Sequence, residues 1–216
     1  TAAAMVTLDL EAPCMVNERF TLHHNGLMFT AVTDNEGMSQ MTVPALAKNA
    51  VFIVAFANGE GAVANAEVTS VEYYDRYIVQ WQGQSGLQVH ALEYGATYGE
   101  DGHVWADATR DIGTAARGEG GFITRLGPRD MDDARMAEVY TFPTLTAQKP
   151  GEIDLRLEAA VTRANCGRDI EAQSLHISGT QAPVASDLTL AMPECDAVGD
   201  YLVLKNMFNN LKIARN

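Results

Sequence analysis

Short runs of alternating apolar and polar residues, each ended by a cluster of Gly, Asn, Asp or Pro, recur along almost the whole chain. Periodicity of two with frequent breakers is the pattern of half-buried strands, and apolar spacing of three to four is nearly absent. Runs such as Met5–Leu10, Arg19–His23, Leu27–Val32, Val51–Phe56, Ala66–Thr69 and Glu138–Phe142 read as strands, with Leu211–Ala214 as a final edge strand. Only "MDDARMAEV" has a helical cast, with Asp130 or Asp132 as the N-cap. The expectation is an all-β protein, an antiparallel β-sandwich of Ig-like or related kind. It is either one continuous domain or two sandwich lobes. A lobe at 1–115 would hold a central three-stranded meander. A second lobe at 116–216 would follow the glycine-rich "GTAARGEGG".

With 216 residues, 47% of them hydrophobic, the chain has enough apolar material for a sizeable core. Its 28 acids against 15 bases give a net charge of −13, a field that repels nucleic-acid phosphates. No basic cluster offsets that field, so nucleic acid is excluded as a partner; a protein or a glycan is expected, in an oligomeric state left open. No apolar run approaches the ~20 residues of a membrane span. The opening "TAAAM" lacks a charged start and a long apolar core. It is expected to follow a signal peptide already removed.

Two segments share an order of parts: a strand, a cysteine in a polar turn, and a second strand. They begin at "VTLDLEAPC" and "EIDLRLEAAVTRANC" and suggest duplicated sandwich halves. The stretch "TAVTDNEGMSQMTVPALAKNAVFIVAF" resembles a common extracellular β-sandwich module, with an Asp/Gly turn before a strand ending in Val-Pro-Ala. That resemblance implies a sandwich fold outside the cytoplasm and assigns no active residue.

Three cysteines are present, Cys14, Cys166 and Cys195, none in a zinc-binding spacing. Cys166 and Cys195 each sit beside a turn-rich stretch. They either pair, which implies an oxidising compartment, or remain two of three reduced thiols.

The densest chemistry lies in "HALEYGATYGEDGHVWADA", residues 90–108. His90 and Glu93 have a spacing that would share one face of a helix, but on a strand they point to opposite faces, so no metal site and no cofactor is expected. If "GQSG" and "GEDG" are hairpin loops, Val71–Gln82, Leu87–Tyr98 and His103–Thr109 form a meander. Its register sets Arg76 across from Glu93 on a solvent face and gathers aromatics on the other. Core packing is the favoured role for that aromatic face. The sharper possibility is a ligand platform at Tyr98, His103, Trp105 and Asp107, where rings stack on a sugar and a carboxylate holds hydroxyls.

No Ser or Cys nucleophile motif stands out, and no catalytic residue is assigned. "TDNEG" and "YGEDG" carry acids as tight turns require. The expected function is a non-catalytic binding or assembly module of the bacterial cell envelope, periplasmic or secreted. A carbohydrate-binding module and a hydrolase with carboxylates from distant strands are the alternatives.

Overall fold

The computed structural model describes residues 2–204 and 211–213. Among the described residues sixteen strands form four antiparallel sheets. The first four are β1 (Met5–Glu11), β2 (Arg19–His24), β3 (Leu27–Val32) and β4 (Met38–Pro44), followed by β5 (Asn49–Phe56) and β6 (Gly61–Glu67). β1 and β4 pair as a two-stranded strap, and the front sheet has the order β3-β2-β5-β6.

The next group is β7 (Asp75–Gln82), β8 (Leu87–Glu93), β9 (His103–Val104), β10 (Phe122–Leu126) and β11 (Arg135–Phe142). The last is β12 (Gly151–Ala160), β13 (Asp169–Ser178), β14 (Val184–Ala191), β15 (Tyr201–Leu204) and β16 (Leu211–Ile213). The central sheet runs β10-β11-β7-β13-β14 and the back sheet β15-β12-β8-β9, with β16 also on β12. Strands from both sides of residue 115 therefore share the central and back sheets. In both cysteine-bearing segments the turn carries the chain from one sheet to another, β1 to β2 and β12 to β13.

Alternation explains the layering. On the central sheet Tyr77, Val79, Tyr140 and Phe142 pack against Val89, Ala91, Leu155 and Leu157 of the back sheet. The opposite face, with Ile78, Val139, Leu175 and Ile177, closes a second core against Phe20, Leu22, Phe29 and Phe52 of the front sheet. β7 is thus buried on both faces and flanked by β11 and β13.

That placement corrects the expected meander. β7 and β8 lie in different sheets, because both edges of β7 are already occupied and "GQSG" carries the chain across the core. Gly83 and Gly86 make the turn with φ of 73° each, and a Cβ on Gly86 would stand 2.6 Å from the Ala160 carbonyl. β8 stops at Glu93, short of the expected Leu87–Tyr98 strand, because Tyr94 and Gly95 turn left-handed, and Leu92 faces His103.

Arg76 and Glu93 consequently never meet. Arg76, 1% exposed, donates from Nη2 to the carbonyls of Ala3 (2.8 Å) and Ala4 (3.1 Å) and from Nη1 to that of Ala45. With no carboxylate against it, burial pulls its pKa down to about 9. The helix also differs from expectation. "MDDARMAEV" is a turn leading into β11, and the short helix α1 (Ile112–Ala116) lies in the glycine-rich stretch, capped by Asp111 Oδ1 accepting from Gly113 N at 2.8 Å.

Cys166 and Cys195 form a disulfide with Cα atoms 4.9 Å apart, and Cys14 is free and exposed. Closing a loop over a sequence separation of 29 stabilises the fold by about 3–4 kcal/mol in the chain-entropy view. The final stretch, expected as an edge strand over residues 211–214, is described only for 211–213, where Gly151–Ile153 pair with it. Residues 205–210 and 214–216 lie outside the described residues.

Candidate functional site

The back sheet presents its outer face through alternation in β12 and β8. Ile153, Leu155 and Leu157 enter the core, so Asp154, Arg156 and Glu158 point outward, beside His90 and Leu92. The loop 94–102 folds over this face and brings Tyr98 down onto it, and Trp105 follows β9. Trp105 stacks on His90 with ring centroids 5.2 Å apart and 16° between planes, and on His103 at 5.9 Å and 5°. Tyr98 meets His103 edge-on at 4.9 Å.

Backbone chemistry fixes the proton positions. Gly99 N–H donates to His103 Nδ1 at 3.1 Å, so the His103 proton sits on Nε2. From there it is donated to His90 Nδ1 at 2.8 Å, which leaves the His90 proton on Nε2. That atom faces Glu158 Oε2 at 3.6 Å, and Glu158 Oε1 accepts from the Tyr98 hydroxyl. The order amide, His103, His90, Glu158 is self-consistent only with two neutral rings. Burial lowers the pKa of both histidines, and the Glu158 charge partly opposes that shift. Burial, reinforced by Glu158, raises that of Tyr98.

Arg156 lies over the Tyr98 ring at 5.4 Å and donates to Asp154 Oδ2 from Nη2 (2.6 Å) and Nε (2.9 Å). The rim is open where the centre is not. Tyr98 is 45% exposed and Trp105 half-buried, whereas His90 and His103 are 4% and 8% exposed.

Three of the four residues proposed from sequence, Tyr98, His103 and Trp105, are in mutual ring contact through His90. The fourth, Asp107, sits one turn further on, held by Arg129 Nη2 at 3.3 Å and Arg125 Nη1 at 3.9 Å. Its charge still reaches His90, where it favours the protonated ring. Sequence reasoning missed Glu158, Asp154 and Arg156. The signal was the alternation of charge with Ile and Leu in "EIDLRLE", but nothing local says that this strand pairs with β8.

Glu93 lies on the other face of β8, 2% exposed, where it accepts from Arg110 Nη1 (2.5 Å), Tyr140 OH (2.7 Å) and Gly121 N (2.8 Å). Glu138, also fully buried, accepts from Arg125 Nη2 (2.5 Å) and from Val89 N (2.7 Å), capping a free stretch of the β8 edge. Burial raises the Glu138 pKa, against the pull of Arg125. Glu93 and Glu138 are thus each held by an arginine and a backbone amide, and buried Asp75 accepts from Ser178 Oγ at 2.9 Å. The turn acids are equally committed: Asp34 Oδ1 accepts from Glu36 N and Met38 N, and Glu100 Oε2 from Thr97 N. Among the described residues no group of three His, Cys, Asp or Glu side chains could hold a metal, and no helix is long and apolar enough to cross a membrane.

No protein-family model, curated protein or solved structure matches this chain. The geometry of the back-sheet face is therefore what a functional reading has to rest on.

Proposed function

We propose that the chain is a non-catalytic binding module working outside the cytoplasm, in the bacterial cell envelope, with Tyr98 and Trp105 as the ligand-facing rings. The observation that carries this is the division of labour on the back-sheet face. His103 is hydrogen-bonded to His90 and Tyr98 to Glu158, with His90 Nε2 buried 3.6 Å from that carboxylate, while ring surface stays at the rim. A nucleophile needs a base with a free lone pair aimed at it, and here the Nδ1 lone pairs of both histidines already accept hydrogen bonds. Exposed rings flanked by Arg156, Asp154 and Asp107 suit a glycan, whose faces stack on aromatics and whose hydroxyls take bidentate polar contacts. The layered packing of β1–β6 supports an Ig-related sandwich as the scaffold. The Cys166–Cys195 bridge supports an oxidising compartment.

A glycan array probed with the intact protein tests the ligand class. Saturable binding that Tyr98→Ala and Trp105→Ala each abolish is expected, and an array that stays blank at high protein concentration defeats the glycan reading. Thiol counting of natively isolated, denatured protein tests the compartment. One reactive thiol, Cys14, is expected, and three would remove that support.

A further inference from the structure

β6 forms the outer edge of the front sheet, and nearly all its residues are exposed. The hydrogen bonds Phe56 N to Glu60 O (2.9 Å) and Val68 N to Lys48 O (2.7 Å) set the ladder phase, so even-numbered residues bond inward to β5. The N–H and C=O groups of Gly61, Val63, Asn65 and Glu67 therefore point away from the sheet, and among the described residues no strand pairs with them. Free edges are normally guarded by charge, proline, bulges or brevity. Several other edges hold to that: β1 carries Asp9, β14 carries Asp187, β10 carries Arg125, β4 ends on Pro44, β9 has two residues and β15 four, while β3 has no charge but gives its Met28 N–H to Gln80 Oε1 at 2.8 Å. β6 reads Gly-Ala-Val-Ala-Asn-Ala over residues 61–66, and its one charge, Glu67, stands at its last residue. Beside it the outer face exposes Val63 (63%), Ile53 (44%) and Val51 (39%).

We infer that the β6 edge is a strand-addition site for an extended segment of a partner protein, about seven residues long, with small apolar side chains at its centre and a basic residue near each end. Charge selects that occupant. Glu60 and Glu67 are exposed at the two ends of the edge, and Glu67 has only an exposed lysine, Lys48, at 3.8 Å. A second copy fits badly. Antiparallel pairing about Ala64 would set Glu67 of one chain opposite Gly61 of the other, next to its Glu60, between two bodies of charge −13 each. Backbone hydrogen bonds supply affinity in this mode, and alternate side chains supply selectivity. The site is on a different sheet from Tyr98 and Trp105, so a blank glycan array leaves it standing.

The test is NMR titration of the intact protein with the peptide acetyl-Lys-Val-Thr-Val-Thr-Val-Lys-amide. Shift changes centred on residues 61–67 and slowed exchange of the Val63 and Asn65 amides are expected. Asn65→Pro removes one outward donor while sparing the β5 ladder and should weaken binding about tenfold. Val63→Lys, which leaves the backbone intact, should weaken it similarly by guarding the edge and repelling the peptide lysines. Replacing both peptide lysines by glutamate should abolish binding. No shifts at millimolar peptide would overturn the inference. So would equal affinity for the glutamate peptide, or a dimer of the protein alone that Asn65→Pro and Val63→Lys both dissolve.

Discussion

The outer faces of the back and front sheets reverse what their residue types suggest. The back sheet turns outward two histidines, a glutamate and an arginine–aspartate pair, and it is closed: His90 and His103 are buried and hydrogen-bonded to each other, and buried Glu158 accepts from Tyr98 and stands 3.6 Å from His90 Nε2. The front sheet turns outward Val51, Ile53 and Val63, and it is open. Composition alone would have assigned burial the other way. What separates the faces is covering chain. The loop 94–102 and Trp105 lie over the back sheet, and no described element lies over β5 and β6. One face leaves ring surface and an arginine–aspartate pair at its rim, and the other leaves unpaired backbone at its edge.

Acid should strain this contrast most. On the inner side of the front sheet, His24 donates from Nδ1 to Val51 O at 2.9 Å and accepts from Leu46 N at Nε2 at 2.8 Å, and burial lowers its pKa from 6.5 to about 4. Its stabilisation is complete above pH 6.5. It is lost as pH falls towards 4, because in that window the unfolded chain binds the extra proton. The loss from His24 alone amounts to about 3 kcal/mol, and the lowered pKa values of His90 and His103 give the back sheet a loss of the same sign. Urea unfolding at pH 7.5 and 4.5 measures the sum. Ring-proton titrations by NMR assign it, and a His24 titrating near 6.5 would remove the largest part.

Next in size is Glu158→Ala. It strips the charged acceptor from the Tyr98 hydroxyl and removes the carboxylate 3.6 Å from His90 Nε2, which has no hydrogen bond of its own, at a cost of about 1–3 kcal/mol. Glu158→Gln, which keeps an acceptor oxygen, should lose less than half as much in the same urea titration. Equal losses would mean that charge, not the hydrogen bond, holds Tyr98 in place. The smallest effect is expected on the open face, where Val63→Thr should stay within about 0.5 kcal/mol of wild type. A larger loss would show that this face is covered in solution.

How far these faces were legible in the sequence follows from the range of the signals. Alternation gave the all-β class, and the short loop between β8 and β9 brought Tyr98, His103 and Trp105 together, since all lie within eight residues. The Cys166–Cys195 pairing was one of two open readings, and the turns around it bring the two residues together. Pairing between distant strands has no local signature. The expected Arg76–Glu93 pair requires strands adjacent in sequence to be neighbours in one sheet, whereas double-sided burial sends β7 and β8 to different layers. β6 was hidden for another reason: glycine, alanine and asparagine disfavour strands, and only the ladder with β5 makes Gly61–Glu67 extended. The expected strand at Ala66–Thr69 overlaps only its end.

The acid–base groups of the back-sheet face are held in one order, from the Gly99 amide through His103 to His90, with Glu158 beside it. A long-range proton–nitrogen NMR spectrum of the imidazoles at pH 7 tests this directly. Two neutral rings are expected, His103 and His90, each carrying its proton on Nε2. A charged ring, or a His103 protonated on Nδ1, would free a donor or a base for chemistry and contradict the account.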